Sequence, residues 1–248
     1  MIFICFAAED RYDIAEPLVY HLKNYGIDVW YDRHSLLLGD DRKQKNLIEG
    51  ASKCKYAILI LSANTTQSAC AMEEISIINT RYTENDVVVF PILFELSPND
   101  ISSELQWVKD LIFKETDKKS GTRQICNHIM CKVTSDILCR FRQKSIKDII
   151  NIEADVIPPA IHNLLNAYCQ INIENLNARI ALLYAVYITS IENSHSKEND
   201  NLYIVSKIFE RLFSETRLDL VIDYRELWLL ENAVCILINE IYITKNLK

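Results

Sequence analysis

Apolar and polar positions in the first half of the chain alternate between two patterns. Four apolar runs have the length of strands, and they span residues 2–6, 28–31, 56–61 and 86–94. Segments with apolar residues at helical spacing lie between these runs. Runs that are apolar on both faces and separated by helices indicate a parallel sheet covered on both sides. The pattern therefore predicts an α/β fold with a flavodoxin-like, doubly wound parallel sheet.

The end of this region is less regular. Residues 95–120 hold a candidate short strand at 111–114, and helical spacing then runs over 122–142. Pro91 lies inside the fourth apolar run, and proline has no N–H for a strand neighbour. We therefore expect a bulge or an edge position at Pro91.

The pattern changes at about residue 143. The rest of the chain has no glycine, and helical spacing recurs in it, as in Leu227, Leu230 and Val234. The sequence therefore predicts two domains, an α/β domain over 1–142 and an all-helical domain over 143–248. A polar stretch, residues 190–201, is expected to be a loop between two helices. The apolar stripes are interpreted as core, with a self-association surface as the alternative.

Composition excludes several classes of function. A net charge of -7 argues against nucleic acid as the main partner, because phosphate binding depends on Lys and Arg. The four glycines form neither GxGxxG nor GxxxxGK[ST], which excludes a glycine-rich phosphate loop. We see no signal-peptide pattern and no apolar run of about 20 residues. We therefore expect a cytoplasmic protein without membrane segments.

Eight cysteines carry no metal-site spacing. The sequence has no CxxC pair and no histidine at zinc-ligand spacing from a cysteine pair. Free cysteine often behaves as a small hydrophobic residue. We therefore expect buried, reduced thiols and no metal site.

Topology draws attention to the helix after the third strand. In an open sheet of order 2-1-3-4-5, ligands bind beyond the carboxyl ends of the strands, between strands one and three. The loops beside this crevice are residues 7–10 and 62–67, and the following helix carries Glu73 and Glu74. The topology therefore predicts a functional site near these two glutamates.

The two glutamates cannot both face the sheet. Neighbouring helix positions point about 100° apart, because a turn has ~3.6 residues. With Ser68 as the N-cap, both glutamates lie beyond the capping-box position, so capping does not explain them. Glu74 shares a stripe with Cys70 and Ile78. Periodicity favours Glu74 as the inward residue without deciding the matter.

Four segments in order resemble one family. They are "IFICFAAED", "GIDVWYDRHSLLLGDD", "LIEGASKCKYAILILS" and "SACAMEEI". Together they resemble the TIR (Toll/interleukin receptor) domain, especially its bacterial form, over roughly residues 1–142. In that family the second segment contains the BB loop, here residues 33–41.

This resemblance implies an activity. Many TIR domains cleave NAD+ at the nicotinamide–ribose bond, with a catalytic glutamate in a pattern like W-C-x-x-E-[LI]. On this chain the pattern places Cys70 at the tryptophan, Ala71 at the cysteine and Glu74 at the glutamate. A fixed carboxylate stabilises the oxocarbenium-like ribose that forms as nicotinamide leaves. NAD+ would be a substrate, so the resemblance implies no separate cofactor.

The same resemblance implies the walls of the pocket. The expected substrate-binding residues are Phe6, Ala7, Ala8, Asp32, His34 and Cys70. His34 falls where some family enzymes have an acidic residue, and a solvated loop residue is the alternative interpretation. Asp32 could instead anchor the BB loop. For Trp107 we weigh shielding of the pocket against a place in the core.

Several alternatives stay open. Hydrolysis to ADP-ribose and cyclisation to an isomer are both compatible with the sequence. The resemblance implies self-association through the TIR domain and the BB loop, and antiviral defence signalling to an effector that responds to the product.

A non-catalytic TIR scaffold is the main rival to the enzyme. A receiver-like phosphoacceptor is the third hypothesis, because Glu9 and Asp10 resemble its acidic pair. Strand three, however, ends in Leu61 and Ser62, where that chemistry needs an aspartate.

Overall fold

The computed structural model describes residues 1–152, 156–192, 200–218 and 223–243. The chain divides into two compact units, Met1–Met130 and a second unit that begins at Cys131. The domain boundary at residue 142 stays a prediction. Most of the expected polar loop at 190–201 falls on residues 193–199, which lie outside the described residues.

The first unit contains a five-stranded parallel sheet in the order β2-β1-β3-β4-β5. Its strands are β1 Ile2–Cys5, β2 Val29–Trp30, β3 Tyr56–Leu61, β4 Val88–Phe94 and β5 Lys114–Thr116. All six residues of β3 are buried, as expected for a central strand covered on both faces. The predicted α/β fold with a doubly wound parallel sheet is confirmed. The fifth strand begins later than expected, because Leu111 closes the preceding helical turn through a hydrogen bond to Val108.

Helices of three kinds lie between these strands and after the last one. The α-helices are α1 Glu16–Asn24, α2 Asp32–Ser35, α3 Ala69–Thr83 and α4 Arg123–Leu138. Two π-helices occupy Arg11–Ala15 and Lys43–Ala51. Short 3-10 helices occupy Ala8–Asp10, Thr65–Gln67, Pro98–Asp100 and Ser103–Asp110.

The described part of the second unit is helical. It contains the end of α4, then α5 Ile146–Ile150, α6 Pro159–Gln170, α7 Leu176–Glu192, α8 Asp200–Leu218, α9 Tyr224–Ile238 and a π-helix at Asn239–Ile243. Arg179 of α7 connects α6 to α9, because it donates hydrogen bonds to Tyr168 at 2.7 Å and to Glu231 at 2.8 Å. Among the described residues, no helix is both long and apolar enough to span a membrane.

Pro91 lies inside β4 without a bulge. Its register with Leu59 of β3 continues unbroken on either side. On the other side of β4, β5 pairs only with Ile92–Phe94. At Pro91, β4 therefore has one strand neighbour in the described part of the chain. This position satisfies the edge alternative, because a missing N–H costs nothing where no strand pairs.

Gly50 allows the π-helix Lys43–Ala51 to pack closely on the sheet. A Cβ atom added at Gly50 would lie 2.7 Å from Cε2 of Phe3 and 2.9 Å from Nε1 of Trp30. Both distances are shorter than ordinary van der Waals contact. The two aromatic rings can therefore lie against the backbone of this helix only because residue 50 has no side chain.

We expect Gly50→Ala to lower the free energy of unfolding. Alanine gains about 1 kcal/mol in helix propensity, but overpacking a filled site costs about 1–3 kcal/mol. Urea unfolding should therefore show a net loss of about 1 kcal/mol. Gln44→Ala, at an exposed position of the same helix, is the control and should leave the midpoint nearly unchanged. An unchanged or raised midpoint for Gly50→Ala would mean that the two rings move aside freely.

Candidate active site

A cleft of about 310 Å³ lies beside the carboxyl end of β1. Its lining residues are Phe3, Ile4, Phe6, Ala8, Arg11, Asp32, Arg42, Asn46, Ser68, Cys70 and Glu74. They come from β1 and the segment after it, from the segment after β2, and from the start of α3. The cleft therefore opens where the strand order reverses, as the topology predicted.

Asp10 ties the loop after β1 to the loop after β3. Its buried carboxylate accepts a hydrogen bond from Ser62 Oγ at 2.5 Å and another from Asn64 Nδ2 at 2.8 Å. Thr65 Oγ1 accepts from the Ser62 backbone N–H at 2.8 Å. These contacts fix the two loops that flank the switch point. Asp10 and Ser62 therefore hydrogen-bond to each other. A phosphoacceptor would need a free acidic pair after β1 and an aspartate at the end of β3.

The start of α3 separates the two glutamates. Ser68 is the N-cap, and its hydroxyl oxygen accepts from the Ala71 N–H at 3.3 Å. Glu74 is only 6% exposed and lines the cleft. The Glu73 side chain is 46% exposed, and its carboxylate lies 3.6 Å from Lys43 Nζ. The expectation that Glu74 is the inward residue is confirmed.

Burial changes the acidity of Glu74. Loss of water around the carboxylate raises the pKa of Glu74 to about 7. Hydrogen bonds from Cys5 and Asn46 and the positive charge of Arg42 act in the opposite direction, and the negative charge of Asp32 adds to the rise. At neutral pH the carboxylate is therefore close to half ionised, which is unusual for a glutamate.

Cys5 lies behind Glu74 as a neutral thiol. It is fully buried, and its Sγ lies 3.5 Å from the carbonyl oxygen of Ala71. Burial raises the pKa of Cys5 well above its ordinary value, and the nearby Glu74 carboxylate adds to this effect. The thiol therefore stays protonated and can donate, but it is no nucleophile.

Arg11 connects the end of β1 to the end of β2. Its guanidinium group holds Asp32 through two hydrogen bonds, of 2.8 and 2.7 Å, and donates to Tyr31 Oη at 3.1 Å. The same group lies over the Phe6 ring, 4.9 Å from its centre. Such a bidentate pair has a fixed geometry. Arg11 therefore sets the positions of Phe6 and Asp32 in the cleft wall.

The structure brings together most of the residues that the sequence proposed for this site. Those that line the cleft are Phe6, Ala8, Asp32, Cys70 and Glu74. Ala7 is fully buried instead, and its carbonyl accepts from the Asp10 N–H at 3.0 Å. His34 lies outside the lining, with its Nδ1 2.8 Å from Lys23 Nζ and its ring edge-on to Tyr31.

Trp107 lies away from this cleft. Its indole stacks on Tyr82 with ring centres 5.3 Å apart, and it packs against the core of the first unit. It also lines a separate groove that includes Glu73 and Glu104. Of the two interpretations of Trp107, the structure agrees with a place in the core.

Sequence reasoning did not single out three polar residues of the lining: Arg11, Arg42 and Asn46. Asn46 is buried, whereas its apolar neighbour Ile48 is exposed. Asn46 and Ile48 lie in a π-helix, and the faces of a π-helix do not follow the ordinary period of ~3.6 residues. Arg11 and Asp32 form an ion pair over a distance in sequence that no local spacing reveals.

The cysteines and acidic residues form no metal site within the described ranges. No group of three or more His, Cys, Asp or Glu residues there could hold a metal ion. All eight cysteines are unpaired, and four of them, including Cys5, are buried. The candidate chemistry of the cleft therefore centres on a single buried carboxylate.

Comparison with known proteins points to one family. A family model described as TIR domain matches residues 2–126. The NAD(+) hydrolase TcpC of Escherichia coli O6:H1 is 30% identical over 115 residues, which are 46% of this chain and 37% of that protein. The 2' cyclic ADP-D-ribose synthase AbTIR of Acinetobacter baumannii is 30% identical over 100 residues, 40% of this chain and 37% of that protein. The chain thus spans just over a third of the length of these relatives.

Among solved structures, the TIR domain of the Toll-related Receptor TRR-2 from Hydra magnipapillata has a TM-score of 0.38 and 17% identity. The match covers 46% of this chain and 82% of that one. The TIR domain model itself covers half of the chain, from the first residue of β1 to the early part of α4. On the strength of that match, this chain belongs to the TIR domain family.

Proposed function

We propose that this chain cleaves NAD+ at the nicotinamide–ribose bond and releases nicotinamide with ADP-ribose or a cyclic ADP-ribose isomer. The observation that carries the proposal is the buried carboxylate of Glu74, which lines the cleft at the switch point of the sheet. The relatives named NAD(+) hydrolase and 2' cyclic ADP-D-ribose synthase support the same substrate.

One carboxylate is sufficient for this bond cleavage. Nicotinamide leaves as a neutral molecule from a cationic precursor, so the leaving group needs no general acid. Positive charge develops at C1′ of the ribose as the bond breaks. A fixed negative charge in a water-poor site stabilises that charge far more than it would in bulk water. Glu74 provides such a charge whenever it is ionised.

The charges around the cleft suit a dinucleotide. Arg42 is exposed at the rim, and its guanidinium group has no hydrogen-bond or ion-pair partner among the residues that the structure describes. It is therefore available to the diphosphate of NAD+. A volume of about 310 Å³ is at the small end of ligand pockets, which fits the nicotinamide riboside half. The adenosine half then lies over the rim.

We further propose self-association through the BB loop, residues 33–41. This loop exposes Leu37 and Leu38, which are 77% and 107% exposed. Burial of these two side chains against a second copy of the domain would remove apolar surface from water. In this proposal the assembled enzyme acts in the cytoplasm in antiviral defence, and its product signals to an effector.

A non-catalytic TIR scaffold is the alternative. A scaffold has no use for a carboxylate inside a cleft, where burial disfavours its charged form. Glu73 shows that a glutamate on α3 can avoid this cost by facing outward. The burial of Glu74 therefore favours the enzyme over the scaffold.

Glu74→Gln should abolish NAD+ cleavage, because the amide keeps the shape of the side chain and loses its charge. We expect a fall of at least about 100-fold, typical for removal of a preorganised electrostatic group. The assay incubates NAD+ with the purified chain, free or clustered, and identifies products by mass spectrometry. Glu73→Gln is the matched control and should retain full turnover. Full cleavage by Glu74→Gln, or none by the clustered native chain, would rule out the proposal.

The pH dependence of kcat/KM should follow the ionisation of Glu74. Activity needs the charged form, so kcat/KM should rise with pH through a midpoint near 7. The profile of kcat against pH should have a lower midpoint, because the positive charge of the bound nicotinamide ring favours the ionised form of Glu74. Steady-state rates between pH 5 and pH 9 provide the test. A flat profile over that range would contradict a role for the Glu74 charge.

Glu74→Gln should also stabilise the fold at high pH. The pKa of Glu74 is raised by folding, so its stabilising contribution is complete below pH 4.5 and is lost as pH rises through about 7. One pKa unit corresponds to about 1.4 kcal/mol, so the variant should gain up to about 3 kcal/mol at pH 8 and little at pH 5. Urea unfolding at both pH values measures this difference. The exposed Glu73→Gln should show no such change, and equal effects of Glu74→Gln at both pH values would refute the burial cost.

A further inference from the structure

Trp30, Asn46 and Glu74 form a chain of hydrogen bonds that ends at the wall of the cleft. The Trp30 indole Nε1–H donates to Asn46 Oδ1 at 3.2 Å, and Asn46 Nδ2 donates to Glu74 Oε1 at 3.3 Å. Asn46 and Glu74 are both 6% exposed. This chain of hydrogen bonds therefore joins three separate elements, β2, the π-helix Lys43–Ala51 and α3.

Trp30 decides which end of the Asn46 amide faces Glu74. An indole N–H can donate a hydrogen bond but cannot accept one. It therefore pairs with the amide oxygen of Asn46, which directs the NH2 group towards Glu74. If the amide were reversed, its oxygen would face the carboxylate and its NH2 group would face the indole N–H. Both contacts would then be repulsive.

We propose that Asn46 is a positioning residue for Glu74, that Trp30 fixes the orientation of the Asn46 amide, and that the pair holds the Glu74 side chain in place at the cleft. The effect on turnover rests on the proposed NAD+ cleavage, whereas the effect on Glu74 itself does not. Neither Trp30 nor Asn46 needs to touch substrate to act in this way.

Other groups face Glu74 and act on its ionisation together with Asn46. Cys5 contributes a buried thiol whose hydrogen bond also favours the ionised form. Arg42 acts through its charge from an exposed position, where solvent screens it. Asp32 acts against ionisation, but Arg11 holds it in a bidentate pair. Cys70 lines the same cleft one turn before Glu74. Asn46 is therefore the buried amide donor to this carboxylate in the described part of the chain.

Gly50 supports the same arrangement. The Trp30 Nε1 atom would lie 2.9 Å from a Cβ at residue 50, so only glycine leaves room for the indole here. Gly50 lies one turn after Asn46 in the same π-helix. One close contact between this helix and β2 thus sets the position of the Trp30 indole N–H. The same contact sets the position of the Asn46 amide, to which that N–H donates.

The test compares Asn46→Leu and Trp30→Phe with the native chain. Leucine keeps the branched shape of asparagine without its polar atoms, and phenylalanine keeps an aromatic ring without the N–H. Glu74 is titrated by NMR of 13C-labelled glutamate carboxyl groups, and its signal is assigned by its absence in Glu74→Gln. We expect the Glu74 midpoint to rise by about 0.5–1 pH unit in Asn46→Leu and by less in Trp30→Phe. Gln44→Leu, at an exposed site of the same helix, should leave it unchanged.

Turnover provides the second measurement. A higher Glu74 midpoint leaves less carboxylate ionised, so kcat/KM for NAD+ in Asn46→Leu should fall about 2- to 5-fold at pH 7 and recover by pH 9. A merely structural role for Asn46 would lower the rate by the same factor at every pH. This difference separates positioning from folding.

Each outcome decides the proposal. An unmoved Glu74 midpoint in folded Asn46→Leu would overturn it. If Asn46→Leu does not fold by circular dichroism, Trp30→Phe decides, because it retains the buried amide. If the native chain cleaves no NAD+ while the NMR midpoint still moves, the positioning pair stands and the proposed function fails alone.

Discussion

A charged group held out of water is the constraint on which this site depends. The Glu74 carboxylate is buried, and burial alone disfavours its ionised form. The hydrogen bond from Cys5, the positive charge of Arg42 and the hydrogen bond from Asn46 favour the ionised form. Without these contacts a smaller fraction of the Glu74 carboxylate would carry its charge at neutral pH. The chemistry of the cleft therefore depends on a balance between desolvation and a few short-range contacts.

The surrounding architecture maintains that balance. Asp10 joins the two loops at the switch point, and Arg11 joins Asp32 to the end of β1. Gly50 allows the π-helix to come within contact of Phe3 and Trp30. These interactions connect separate elements, so the carboxylate is positioned by the sheet as a whole. Such rigid support is what electrostatic stabilisation of a transition state requires.

Much of the fold could be predicted from the sequence, because its signals are local. β3 is an apolar run in the sequence and is buried along its whole length in the structure. The period of one regular helix showed that only one of Glu73 and Glu74 faces inward, and it favoured Glu74 without deciding between them. Topology then placed that helix beside the switch point.

The remaining features were not visible because they depend on contacts between distant residues. Asn46 was missed because the ordinary helical period does not describe a π-helix, in which a buried asparagine stands near an exposed Ile48. His34 lies in the short helix α2, where it contacts Lys23 and does not line the cleft. Ala7 is in the predicted segment and faces the core instead, since alternate residues of an extended chain face opposite sides.

A crystal structure with carba-NAD+, in which the scissile bond resists cleavage, tests the central claim most directly. We expect the nicotinamide riboside half inside the cleft, with C1′ about 3–4 Å from the Glu74 carboxylate. We also expect the diphosphate at the rim near Arg42. A riboside bound elsewhere on the molecule, or a C1′ atom that faces away from Glu74, would contradict it.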